Sequence, residues 1–260
     1  MEISRENKIK IEKTADLLKK SRSILFITGA GISADSGLPT YRGIGGLYNN
    51  KNTEEGIPIE IALAGETLSS RPELTWKYLG QIEERCRKAK FNRAHEVIAE
   101  MEKSFPRVWV LTQNIDGFHQ AAGSRNVIDI HGNMYDLYCT ACSWRIQLKD
   151  YSEIEIPPRC PECGKIARPD VVFFGEMLPY DKTQLLYREL SKGFDLYVTV
   201  GTTSVFPYIA KPVYDAKNSG KPCIEINPAQ TSVSELADIK LTLTAAQALA
   251  AIWSAYKSDE

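Results

Sequence analysis

Five short apolar runs punctuate the chain: Ile24-Leu25-Phe26-Ile27, Val108-Trp109-Val110-Leu111, Val127-Ile128-Asp129-Ile130, Leu196-Tyr197-Val198-Thr199-Val200 and Cys223-Ile224-Glu225-Ile226. They are rich in β-branched residues and too short for helices, so they read as strands buried on both faces. Helical spacing fills several of the segments between them. Ile9, Ile11, Ala15, Leu17 and Leu18 precede the first run, and Ala94, Val97, Ile98 and Met101 share one face of a helix expected from Arg93 to Lys103. Strands alternating with helices predict an α/β fold built on a parallel sheet covered on both sides.

Two stretches interrupt this rhythm: Tyr41 to about Lys90, which is loop and then helical, and Tyr135 to Arg168, which carries four cysteines and Pro157-Pro158. They read as one smaller domain (41–90 and 135–168) inserted into a larger one (1–40, 91–134 and 169–260). A chain of 260 residues with 43% hydrophobic and 25% charged residues can bury a full core in such an arrangement. The formal net charge of -1 provides no basic field, which argues against a specific nucleic-acid partner. The charged N-terminal segment and the lack of any long apolar stretch argue against a membrane partner and predict a soluble, cytoplasmic protein.

The first run is followed by Gly29-Ala30-Gly31-Ile32-Ser33-Ala34, which fits G-x-G-x-x-G/A. Small residues at a strand end let backbone N–H groups and a helix N-terminus approach a pyrophosphate, so the large domain reads as Rossmann-like with a dinucleotide site. A tight turn that merely needs glycine is the plainer reading. An ordinary dehydrogenase should also carry an acidic residue at a strand end about 20 positions on. Here that region is Leu47-Tyr48-Asn49-Asn50-Lys51-Asn52, and hydride transfer becomes the second choice.

Cys139-x2-Cys142-x17-Cys160-x2-Cys163 has the spacing of two knuckles around one structural zinc. Four thiolates complete a tetrahedron and leave no position for water, so this metal would hold the small domain together and stay out of the chemistry. Cys86 and Cys223 stand apart and read as buried thiols. Gln113, Asn114 and Asp116 follow the second strand, where open α/β sheets bind ligands, although Asn114 and Asp116 could equally cap the next helix. His131 ends the third strand and is one of three histidines; by itself it suits a hydrogen-bonded structural role as well as a base.

The segment Gly29 to Gly43, GAGISADSGLPTYRG, resembles the sirtuin signature almost position for position. The likeness continues through Thr112-Gln113-Asn114-Ile115-Asp116, His131-Gly132, the cysteine pairs, Pro169 to Glu176, Gly201-Thr202-Thr203-Ser204 and Ile226-Asn227-Pro228, from about residue 20 to the C-terminal helix. The resemblance implies an NAD-dependent protein-lysine deacylase. In that reading the acyl oxygen attacks the anomeric carbon of NAD and expels nicotinamide, after which His131 activates a ribose hydroxyl. The resemblance further implies that Gln113 and Asn114 contact the nicotinamide ribose, and that Asp116 and the Ile115 backbone hold the carboxamide. Gly29, Ala30, Gly31, Asp35, Tyr41, Arg42, Gly201, Thr202, Thr203 and Asn227 would complete the cofactor site, with His119 structural.

On the substrate side, Pro169 to Glu176 resembles the sirtuin segment that takes an acyl-lysine protein or peptide as an added strand, with Val171 and Phe173 along the acyl channel and Gly175 and Glu176 beside it. Sirtuins acting on acidic acyl groups carry a Tyr-x-x-Arg pair. The best match here is Tyr78-Leu79-Gly80-Gln81, which keeps Tyr78 but offers Gln81 for Arg, so acetyl and other neutral acyls are expected over succinyl or malonyl. Two departures from the family pattern are Tyr41 in place of Phe and a loop from Gly201 to Pro207 that is one residue short. Arg85 and Arg87 lie one to two helical turns further along, so desuccinylase or demalonylase activity stays an alternative, and an ADP-ribosyltransferase on the same NAD site and an NAD-sensing interaction module are the other classes.

Overall fold

The computed structural model describes residues 3–40 and 52–258. The helices are α1 (Arg5–Lys19), α2 (Ile59–Ala62), α3 (Gly65–Ser70), α4 (Pro72–Lys88), α5 (Arg93–Ser104), α6 (Phe118–Ala121), α7 (Tyr180–Ser191), α8 (Pro207–Asn218) and α9 (Ala245–Ser258). The strands are β1 (Ser23–Thr28), β2 (Arg107–Thr112), β3 (Val127–Asp129), β4 (Gly132–Cys139), β5 (Arg145–Gln147), β6 (Ala167–Val171), β7 (Leu196–Val200), β8 (Cys223–Ile226) and β9 (Ile239–Leu241). Each of the five apolar runs is therefore a strand, and β9 joins them.

These six strands form one sheet in the order β3-β2-β1-β7-β8-β9, parallel throughout. The order reverses between β1 and β7, which opens a crevice at their carboxyl ends. Strand β1 shows why both faces are apolar. Ile24 and Phe26 pack with Leu18, Val97, Met101 and Trp253 under α1, α5 and α9, whereas Leu25 and Ile27 pack with Leu186, Ile209 and Val213 under α7 and α8. A one-residue slip would exchange these faces, so the register is strongly specified.

A three-stranded antiparallel sheet, β5-β4-β6, stands apart from the parallel one. Its Leu137 and Val171 share a core with Leu74, Trp76, Leu79 and Ile82 of α4, and Trp76 Nε1 donates to Ala167 O at 3.1 Å. Two segments remote in sequence thus bury one apolar cluster. Asn92 fixes the entry to α5: its Oδ1 accepts from Ala94 N at 2.9 Å, while His95 Nδ1 accepts from Asn92 N at 3.2 Å. Such a cap contributes about 1 kcal/mol. The Asn92 amide also donates to Ile32 O at 2.8 Å, tying α5 to the turn after β1. Among the described residues no helix is long and apolar enough to cross a membrane.

Candidate active site

The chain leaves β1 through two short 3-10 turns, Ala30–Ile32 and Ala34–Ser36. Up to Thr40, where the described segment ends, no α-helix follows the glycine-rich turn, contrary to the expected strand-to-helix geometry, because Gly37 turns the backbone left-handed (φ +83) and Pro39 follows close behind. The glycines are needed for a close approach instead. Gly31 N donates to Gly201 O at 2.8 Å, and a Cβ on Gly31 would sit 2.6 Å from Gly201 Cα. Gly201 is itself left-handed (φ +59), and a Cβ there would meet Gly31 C at 2.4 Å. This interlock of the β1 and β7 loops makes a side-chain-free floor at the sheet's reversal point, where open α/β sheets bind ligands.

The polar residues at the other strand ends converge on that floor. Gln113 Nε2 donates to Thr202 Oγ1 at 2.8 Å, and Asn227 Nδ2 donates to Thr202 O at 3.1 Å. Asn114 Nδ2 reaches Gly29 O at 3.2 Å and Ser33 Oγ at 3.3 Å. Ser33 in turn donates to Asp116 Oδ2 at 2.8 Å, and Asp116 Oδ1 accepts from Phe118 N at 3.0 Å. Asp116 therefore serves the first turn of α6 and the site at once. Burial raises its carboxyl pKa, against the pull of these hydrogen bonds.

His131 is half-buried, with Nδ1 at 3.0 Å from Gln113 O and Nε2 at 2.6 Å from the Tyr208 hydroxyl. A carbonyl can only accept, so Nδ1 carries the proton and Nε2 carries the lone pair. Burial lowers the imidazole pKa; the Gln113 carbonyl opposes this and the nearby Lys182 ammonium adds to it. His119 is different. Its Nε2 lies 3.0 Å from Thr28 Oγ1 and its ring packs against His95 at 4.9 Å, fully inside the protein, where burial holds its pKa well below the ordinary value.

A cavity of about 550 Å³ runs between the two sheets. Gly29, Ala30, Gly31, Gln113, Asn114, Ile115, His131, Gly201, Thr202, Thr203 and Asn227 line its polar side, and Leu63, Leu79, Ile82, Val171 and Phe173 its apolar side. A side pocket of about 30 Å³ is bounded by Ser33, Asn114, Ile115 and Asp116. Gly175 and Glu176 edge the main cavity. Glu176, however, is committed to a two-pronged pair with Arg168 (2.7 and 2.8 Å) and accepts from Phe173 N at 3.0 Å, so it braces the loop.

Two expectations change. Tyr78 and Gln81 do not line the cavity: Tyr78 donates its hydroxyl to the Glu55 carboxylate and Gln81 is exposed. Residues of a helix are 100° apart, and the face of α4 toward the cavity carries Leu79 and Ile82, one position further on. Asp35 is exposed, and its carboxylate accepts from Ala246 N at 2.8 Å at the start of α9, so it serves as a helix cap there. Tyr41 and Arg42 lie outside the described residues.

The four cysteine sulfurs lie within 4.8 Å of one another, with Cys139 to Cys163 at 3.4 Å and Cys142 to Cys160 at 3.6 Å. Tetrahedral zinc with bonds of about 2.3 Å sets sulfurs about 3.8 Å apart, so the donor set and its size both fit. Each knuckle is shaped by its backbone: Ala141 N donates to Cys139 Sγ at 3.3 Å, and Gly164 (φ +69) donates to Cys160 O at 2.9 Å.

Residues 29–207 match the model of the Sir2 family, more than half of the chain. The chain belongs to the Sir2 family. It is 51% identical over 235 residues to NAD-dependent protein deacylase 2 of Pseudomonas aeruginosa, covering 89% of this chain and 91% of that one. A Sir2 homologue in complex with NAD superposes with a TM-score of 0.85 at 33% identity, covering 95% of this chain and 94% of that chain. A Sir2 complex with a p53 peptide and NAD+ gives 0.80 at 30% identity, covering 94% and 97%. Within this Sir2 fold, Ser33, Leu79, Ile82 and Tyr208 are site residues that the sequence did not single out. Ser33 alone had a usable signal, since it lies inside the glycine-rich segment.

Proposed function

We propose that the chain is an NAD-dependent protein-lysine deacylase that takes acetyl and other neutral acyl groups ahead of succinyl or malonyl, releasing nicotinamide and O-acyl-ADP-ribose. The observation that carries this reading is His131 at the edge of the cavity: its Nδ1 proton is fixed on a backbone carbonyl, and its one lone pair, at Nε2, is the basic site, held by the Tyr208 hydroxyl at 2.6 Å. NAD supplies the electrophilic anomeric carbon and the leaving group. The chain supplies everything else. Backbone groups around Gly29, Ala30, Gly31 and Gly201 take the pyrophosphate; Thr202, Thr203 and Asn227 take the adenosine side. Gln113 and Asn114 hold the other ribose, and Asp116 with the Ile115 backbone holds the carboxamide in the side pocket. Neutral near pH 7 because burial lowers its pKa, His131 removes a ribose hydroxyl proton.

The acyl chain lies against Leu63, Leu79, Ile82, Val171 and Phe173. Among the described residues no lysine or arginine lines the main cavity, and Arg85 borders only the adjoining side pocket; the apolar acyl wall supports neutral acyls. The acyl-lysine peptide runs as an added strand beside Gly175 and Glu176, since Phe174 already bonds Leu63 O (3.0 Å) and Gly65 N (3.1 Å). In this reading residues 1–40, 91–134 and 169–260 form the NAD domain, and 41–90 with 135–168 form the small domain. Mass spectrometry after incubation of an acetyl-lysine peptide with NAD tests it. O-acetyl-ADP-ribose should appear in step with deacylated peptide; ADP-ribose attached to protein, or no product, refutes it.

A further inference from the structure

We propose that Tyr208 is a positioning residue for the base: its hydroxyl holds the one lone pair of His131 that a ribose hydroxyl must use, and has to release it before deprotonation can occur. The inference rests on the reading of His131 as the base. It begins with the Gln113 carbonyl, which fixes the proton on Nδ1 at 3.0 Å and leaves a neutral imidazole with one in-plane lone pair, at Nε2. The Tyr208 hydroxyl donates to that lone pair at 2.6 Å. One lone pair accepts one strong hydrogen bond, so Tyr208 and a ribose hydroxyl exclude each other at Nε2.

The surroundings make this arrangement specific. Tyr208 stands in the first turn of α8, and its ring stacks on Phe206 with centroids 5.5 Å apart and planes at 14°. Phe206 also meets the His131 ring edge-on at 6.0 Å, and all three side chains border the cavity. The stack aims the hydroxyl and keeps the imidazole in its working orientation. Release requires no movement of the sheet. The charged neighbour from α7 is Lys182, which is held by Asp129 of β3 at 2.8 Å; the residue after β2 offers the Gln113 carbonyl, and α8 contributes Tyr208. Removing the Tyr208 hydroxyl leaves each of those other groups in place.

Tyr208→Phe keeps the ring and its stack and deletes only the O–H. A hydrogen bond given to the neutral imidazole disfavours protonation, so its loss should raise the His131 pKa by roughly 0.5–1 unit, read by imidazole nitrogen NMR. Three histidines in the chain make that signal assignable, with His119 as an unmoved internal control. The acid limb of the kcat/KM profile should move to higher pH by the same amount. ADP-ribose no longer has to displace the hydroxyl, so calorimetry should show about three- to ten-fold tighter binding. A purely structural tyrosine would alter Tm and neither of these. An unchanged or lowered His131 pKa, or unchanged or weaker ADP-ribose binding, overturns the inference. Near-normal turnover by His131→Ala would overturn the base assignment itself. With His131→Ala inactive and Tyr208→Phe behaving as wild type in both measurements, only the role of Tyr208 falls.

Discussion

Placing a cation at position 82 should shift acyl preference toward succinyl, and doing so at position 81 should not. Ile82 is 7% exposed and lines the apolar wall with Leu79, whereas Gln81 is exposed on the adjacent face of α4. A guanidinium at position 82 would meet the carboxylate of a succinyl group inside the cavity. A charge-assisted hydrogen bond contributes about 1.5–3 kcal/mol, or about ten- to 150-fold at 1.4 kcal/mol per ten-fold. Partial desolvation of the arginine reduces this, so the lower end is expected: a succinyl-to-acetyl ratio of kcat/KM raised by about ten-fold in Ile82→Arg. Wild type should favour acetyl by about ten-fold or more. The assay compares acetyl, butyryl and succinyl versions of one peptide, with Ile82→Met reporting the effect of shape without charge. Gln81→Arg should stay within about two-fold of wild type, because 100° of helix rotation points its side chain elsewhere. If Gln81→Arg shifts the ratio and Ile82→Arg does not, the assignment of the acyl wall to Leu79 and Ile82 is wrong.

His131→Ala should lower kcat by about 10²- to 10⁴-fold while ADP-ribose still binds, checked by product assay and calorimetry. Gly31→Ala places a Cβ 2.6 Å from the Gly201 backbone, so it should destabilise the fold by about 1–3 kcal/mol in urea titration and weaken NAD binding. Cys160→Ser, or stripping metal with a strong chelator, should release one zinc per chain and unfold the β4–β6 module, seen by metal analysis and near-UV circular dichroism. Stability should fall on acidification: burial depresses the folded pKa of His119 and takes that of His95 down to about 4. The unfolded chain then takes up these protons first, near its reference value of about 6.5, so stability is fullest above that pH and declines from there toward about 4. An equal urea midpoint at about pH 7.5 and about pH 5 would contradict this.

The strands were legible because a strand buried on both faces admits little but apolar residues. Ile24 to Ile27 could be nothing else, whichever face each side chain took. Strand β9 was not legible. It is three residues long at the sheet edge, and its central Lys240 pairs with the buried Glu225 at 2.5 Å, a charge pattern that reads as loop until its partner is known. The helices α2 and α3, of four and six residues, are too short to show a period.

The same division runs through the site. Gly31 and Gly201 are imposed by backbone contact, and Cys139, Cys142, Cys160 and Cys163 by the reach of two knuckles around one centre, so residue type and spacing alone point to them. The phase of α4 is a different kind of information. Tyr78 and Leu79 both suit a buried helix face, and which of them meets the cavity follows from how α4 packs on the small sheet, with Trp76 bonded to Ala167. Tyr208 is the limiting case, since its partner His131 lies 77 residues away and a lone tyrosine beside a proline has no pattern of its own. Function here is therefore written at two depths. Constraints that the local backbone imposes survive in sequence as motifs, whereas the cavity wall of Leu79 and Ile82 and the Tyr208 partner of His131 are set by tertiary contacts. Substrate choice and control of the base can consequently vary within this family's fold while the motif that identifies it stays the same.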